Sequence, residues 1–140
     1  MSAVGERVIE RTEEFDAAIE DVWRAITDQR ELSQWFGHEV RFEPKPGFEG
    51  VMVWEEHGSF ALRVEEVDAP TRLVWSWVHE SDVAFADAPS TRIEWMLTAR
   101  DDGGTTLHLR ESGFRTDLHF RQNTEGWSEE LAELHALLAG

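Results

Sequence analysis

The sequence predicts an α+β fold: a strongly curved antiparallel sheet of about six or seven strands, with a long amphipathic helix across its concave face. Three observations carry that expectation. Strand-like segments follow one another through the middle of the chain, while helical spacing is kept to the two ends. Toward the C-terminus Phe120, Trp127, Leu131, Leu134 and Leu138 recur at helical intervals and so share one stripe. Seven Trp and eight Phe, with no Tyr, supply large rings, each able to bury about 150–250 Å², enough to fill a core or to wall a pocket.

Each element has a local cause. Val8–Phe15 reads as a strand. Ala18, Val22, Ala25 and Ile26 then fall at helical spacing, with Asp16 as the expected cap. A second short helix over Gln29–Trp35 stops at Phe36-Gly37, where glycine suits the residue after a helix end. Glu39–Glu43 alternates, turning Val40 and Phe42 to one face, until Pro44-Lys45-Pro46-Gly47 breaks it. Val51–Glu55 and Ser59–Val67 form a hairpin about His57-Gly58. Arg72–His79 follows Pro70, and Thr91–Arg100 and Thr105–Ser112 flank Asp101-Asp102-Gly103-Gly104, the strongest hairpin turn in the chain. Period-two alternation turns Phe60, Leu62 and Val64 toward the concave face. The same rule places Leu73, Trp75, Trp77 and His79 there, with Ile93, Trp95 and Leu97, and with Leu107, Leu109 and Glu111. On the last helix Glu125, Glu129 and Glu133 form an acidic row away from the apolar stripe. Gly126 within that helix costs about 1 kcal/mol relative to Ala, which a close backbone approach beside Trp127 would explain.

Length and composition narrow the function. A chain of 140 residues reads as one domain, 1–140. Its 13 basic against 29 acidic residues give a formal charge of −16, which argues against a nucleic-acid partner and against an anionic membrane surface. Cysteine is absent, removing disulfides, thiolate nucleophiles and Cys-ligated metals together. Met1–Glu6 shows no signal-peptide pattern, and no apolar run approaches the roughly 20 residues that span a bilayer. A cytoplasmic protein, monomer or homodimer, is the expectation.

At several places the chain resembles a known family. Ala17-Ala18-Ile19-Glu20-Asp21-Val22-Trp23, Leu32-Ser33-Gln34-Trp35-Phe36 and Pro70-Thr71-Arg72-Leu73-Val74-Trp75-Ser76-Trp77 are three of the matching pieces. Thr106-Leu107-His108-Leu109-Arg110-Glu111-Ser112-Gly113-Phe114 and Asn123-Thr124-Glu125-Gly126-Trp127 complete an ordered set spanning nearly the whole chain. Together they are similar to the activator-of-Hsp90-ATPase-homologue-like proteins of the START-like (SRPBCC, birch-pollen-allergen-like) superfamily. The family often has Pro where Ala18 stands, a conservative change at a first helical position. The resemblance implies a helix-grip fold with an apolar cavity between the long helix and the sheet. Relatives include co-chaperone domains, lipid and polyketide carriers, cyclases, hydrolases and drug-resistance proteins, so fold alone does not select an activity.

The residues themselves offer a few chemical groups. Glu111 follows Leu107 and Leu109 on the inward face, where a carboxylate has a raised pKa and can donate a proton or hold a polar ligand group. The alternative is a solvated place at the cavity mouth, or pairing with Arg110 or Arg115. His79 extends the Trp75–Trp77 stripe and is the best general base by position; the alternative is a buried neutral imidazole bonded to backbone. His108 alternates outward, while His38, His57, His119 and His135 fall in loops or on helix surfaces. Neither His79-Glu80-Ser81-Asp82 nor Glu55-Glu56-His57 has metal-ligand spacing, so no metal or other cofactor is expected. No serine has nucleophile-elbow context and no glycine-rich phosphate motif is present. Trp35, Phe36, Trp75, Trp77, Trp95, Phe114 and Trp127 converge on one space between sheet and helix, as in an apolar pocket. With His79, Leu109, Glu111 and Leu131 they form the expected ligand-binding set. The leading expectation is noncatalytic binding of an apolar or aromatic small molecule by a carrier, sensor or protective sink. A co-chaperone-like module contacting a chaperone is the second expectation, although the eukaryotic activator carries an additional N-terminal domain that engages the chaperone, for which 140 residues leave no room. A cyclase or hydrolase using Glu111 and His79 is the third.

Overall fold

A computed structural model describes residues 7–139 of the protein; Met1–Glu6 and the signal-peptide reading made on it lie outside them. Seven strands make one sheet: β1 (Ile9–Phe15), β2 (Glu39–Arg41), β3 (Glu49–Trp54), β4 (Gly58–Asp68), β5 (Arg72–Val78), β6 (Ser90–Ala99) and β7 (Thr105–Ser112). Their order is β1-β7-β6-β5-β4-β3-β2, antiparallel throughout. From β2 onward each strand lies beside its successor, so only β1 needs a long-range partner. It finds one in β7, running from Ile9 opposite Glu111 to Phe15 opposite Thr105. A shift of register between Val64 and Glu66 bends β4, and such bulges increase local twist. The curved sheet and long C-terminal helix are those of the helix-grip fold.

The helices are α1 (Ile19–Thr27), α2 (Gln29–Trp35) and α3 (Asp117–Ala139). Asp28 caps α2, its carboxylate accepting the backbone N–H groups of Arg30 and Glu31. Gly37 follows α2 with φ of 106°, a conformation that other residues adopt with strain. Asp16 does not cap α1. The N-cap is Ala18, whose carbonyl accepts from Asp21 and Val22, leaving Asp16 two residues too early. Ala18 is therefore the cap rather than the first helical residue, and its φ of −66° is one proline also takes.

Alternation performs as expected on the concave face. Leu62, Val64, Leu73, Trp75, Ile93, Trp95, Leu107, Leu109 and Glu111 have no exposed surface, and Trp77 and Leu97 are buried. Phe60 is half-buried against Trp54. From α3 the stripe sends Trp127, Leu131 and Leu134 into the core, with Phe120 and Leu138 packed at its margin and Glu125, Glu129 and Glu133 exposed. Gly126 has another explanation than close approach: a Cβ built there meets no atom within 4 Å, because the position opens onto a cleft. Among the described residues no helix is long and apolar enough to cross a membrane.

Candidate functional site

Glu111 is the junction of sheet and helix. It sits opposite Ile93 of β6, and Thr91, two residues earlier on the same face, sits opposite Trp77 of β5. These registers bring three strands to one carboxyl group. From above, Asn123 and Trp127 stand one turn apart on α3 and reach the same point. Trp127 Nε1 donates to Glu111 Oε1 at 2.7 Å and Trp77 Nε1 to Oε2 at 2.8 Å. The Asn123 amide donates to both oxygens, at 3.1 and 3.0 Å, and the Thr91 hydroxyl donates to Oε2. Arg110 instead pairs with Glu10 and Glu94, and among the described residues no arginine pairs with Glu111. A solvated or arginine-paired place is thus overturned: Glu111 is 0% exposed. Burial pushes its carboxyl pKa up, while Thr91, Trp77, Trp127 and Asn123 pull it back.

His79 extends this network outward. Its Nε2 lies 2.7 Å from Thr91 Oγ1 and 3.7 Å from Glu111 Oε2. Since the Thr91 hydroxyl hydrogen goes to Glu111, a neutral His79 supplies Nε2–H to Thr91, leaving Nδ1 as the ring's acceptor. The partner is a side chain, not the backbone. His119 of α3 stacks on His79, with ring centres 5.1 Å apart and planes at 17°. Burial, followed by the His119 charge, lowers the His79 pKa to about 4.

Beside this network a cleft of about 660 Å³ opens between α3, the end of β5 and the β3–β4 turn. Phe36, Trp77 and Trp127 form its floor; Phe36 stacks on Trp77 and on Trp127 at 5.4 and 5.5 Å. Trp54 and Phe60 make one wall, and Glu125, Gly126, Glu129 and Glu130 of α3 make the opposite one. The Glu130 carboxyl is pushed up to about 7 by burial and by Glu133 and Glu129, with the Trp54 indole offsetting part of this. Its Oε2 is buried and has no hydrogen-bond partner among the described residues.

Of the ligand-binding set, Phe36, Trp77, His79 and Trp127 line the cleft. Phe114 lines a separate pocket of about 150 Å³, which His79 and His119 border too. Trp35, Trp75, Trp95, Leu109 and Leu131 lie in packed core and face neither space; Glu111 lies beneath the floor. Trp95 meets Trp35 at 85° and Trp127 at 79°, so rings fill what the sequence reading left open as a cavity. Thr91, Asn123, His119, Trp54 and Glu130 were missed. Two of these were within reach of simple periodicity: Thr91 extends the Ile93–Trp95–Leu97 stripe backward, and Asn123 stands four residues before Trp127. Among the described residues no group of three or more His, Asp or Glu is arranged to hold a metal.

A helix-grip domain with a ring-floored cleft beside a buried carboxylate is the class that fold and site define. The chain belongs to the family described as activator of Hsp90 ATPase homolog 1-like protein, which matches residues 16–139. No curated protein matches it. Among solved structures, MLL2253 from Mesorhizobium loti is similar with a TM-score of 0.83 and 22% identity, covering 94% of this chain and 96% of that one. CalU16 from Micromonospora echinospora gives 0.74 and 24%, covering 94% and 75%. DynU16, from the dynemicin biosynthetic locus, gives 0.80 and 24% over 95% of this chain but only 47% of its own, so the chain spans about half of DynU16. These are likenesses of fold.

Proposed function

We propose that the protein binds a small molecule with an aromatic or apolar body in the cleft between α3 and the sheet. The observation that carries this is the floor: Phe36, Trp77 and Trp127 border a space of about 660 Å³, with Trp77 the most open of the three at 9% exposed. The cleft's volume lies within the range of about 300–1,000 Å³ typical of small-molecule sites, and its walls set these rings among polar side chains, glutamates and histidines above all. Glu111 lies beneath that floor and fixes both indoles by their N–H groups, which preorganises the ring surface against which a ligand would lie. Carrier, sensor or protective sink are all uses of such a site.

The test exploits Gly126. Gly126→Leu adds a good helix former and sends its side chain into the cleft. Tryptophan emission titrated with a panel of flat aromatic compounds should show binding tighter than about 100 μM, about −5.5 kcal/mol. Gly126→Leu should abolish it while melting no lower than the parent. Failure of the whole panel to bind the parent would sink the reading.

Proton transfer on a bound molecule is a second reading, favoured by the chain His79–Thr91–Glu111. His79 Nδ1 would accept a proton from the substrate while Thr91 and Glu111 hold the other ring nitrogen. Turnover of a bound compound, lost in His79→Gln with binding retained, is the result that would favour it over binding alone.

A further inference from the structure

We infer that the ligand of this cleft is an organic cation, an aromatic or apolar body carrying a protonated amine. The inference rests on the proposed binding reading and names its ligand class. Aromatic rings, carboxylates and the imidazoles of His38, His57, His79 and His119 share the lining, and among the described residues neither lysine nor arginine contributes to it. Trp54 stands nearly at right angles to its neighbours, 70° to Phe60, 72° to Phe36 and 64° to Trp77, with centroids 5.4–6.1 Å apart. Rings set edge-to-face in this way turn π-faces around a corner, and the negative face of an indole attracts ammonium groups within about 6 Å.

The second observation is the orphaned Glu130 oxygen. Buried polar atoms in native proteins nearly always have a partner, yet Oε2 of Glu130, a half-buried residue of the cleft wall, has none among the described residues. A neutral apolar ligand would leave it unpaired and an anion would repel it. An ammonium group supplies both a donor and the opposite charge. Glu56, Glu125 and Glu129 add negative potential at the rim, in a chain whose formal charge is −16. The burial and the Glu129 and Glu133 charges that push the Glu130 carboxyl toward protonation are what a bound cation would offset.

Calorimetric titration with three probes of matched shape tests this: 2-naphthylmethylammonium, 2-naphthylmethanol and 2-naphthoate. It is run at about pH 8, above the value of about 7 to which the Glu130 carboxyl is pushed, so that this carboxylate is ionised. The ammonium should bind at least about tenfold tighter than the alcohol, with naphthoate the weakest. Glu130→Gln should remove most of that preference and leave the alcohol within about twofold of its parent affinity. Raised salt, and the rim variant Glu129→Gln, should weaken the ammonium alone, which keeps the question answerable should Glu130→Gln fold poorly. Alcohol binding as tightly as ammonium overturns the cation inference and leaves cleft binding intact. An ammonium preference unchanged in both Glu variants overturns it as well. If none of the three probes binds, both readings fall.

Discussion

The indoles of Trp77 and Trp127 and the Asn123 amide can only donate through the nitrogens that face Glu111. That sets a sharp expectation for Glu111→Gln. An amide NH2 would meet an obligate donor at either oxygen position, so the variant should lose about 3 kcal/mol in denaturant melts if the carboxyl is ionised. A cost below about 1 kcal/mol would contradict this convergence of donors on the carboxyl. Glu130 and His79 titrate in opposite senses. With a folded pKa of about 7 against an ordinary 4.5, Glu130 keeps a proton that the unfolded chain has released, so its contribution to stability falls as pH rises through that window. His79, at about 4 against 6.5, is neutral in the fold where the unfolded chain is protonated, so its contribution rises with pH between those values. Glu130→Gln should therefore gain stability relative to the parent as pH climbs from about 4.5 to above 7, while His79→Gln gains relative to it as pH falls through about 6 toward 4. Melts of the three proteins across that range would show the two slopes; parallel curves would refute both assignments.

At the scale of elements, α3 joins the sheet through one turn of helix. Trp127 is 2% exposed, packs on Phe36, Trp77 and Trp95, donates to Glu111 and still borders the cleft. Its ring lies in the packed core and at the edge of the cleft as well. Trp127→Ala should cost about 3–5 kcal/mol and lose ligand binding together with stability. Trp127→Phe keeps one ring and removes the N–H with part of the packed volume, for about 1.5–3 kcal/mol. Equal costs for the two variants would show that the hydrogen bond, not the ring, holds α3 down. The acidic row at 125, 129 and 133 was legible as a solvated face. Glu130 was not, because it lies between that row and the apolar stripe, where helical position alone does not decide burial.

For the whole molecule, an excess of acidic over basic residues gives −16, and the arginines are largely spent within it: Arg72 and Arg92 on Glu66, Arg100 on Glu14 and Asp102, Arg110 on Glu94. Micromolar protein should show no mobility shift with DNA or RNA at about 0.15 M salt, and a salt-sensitive shift would contradict this. What the sequence determined by itself was periodic: about six or seven strands, three helices, a helical stripe, and the face to which Glu111, Trp77 and Trp127 each point. Those features follow from repeats of two and 3.6 residues, which neighbouring residues impose on one another. Tertiary structure decided the rest. Whether the inward rings enclose a cavity or fill it depends on how tightly the sheet curls and how closely α3 approaches, and here Trp35, Trp75 and Trp95 fill it. The cleft formed at the margin instead, where α3 carries Gly126 and the β3–β4 turn stands off. Four donors found one carboxylate across separations of 12 to 34 residues, and no local pattern specifies distances between side chains so far apart in the chain.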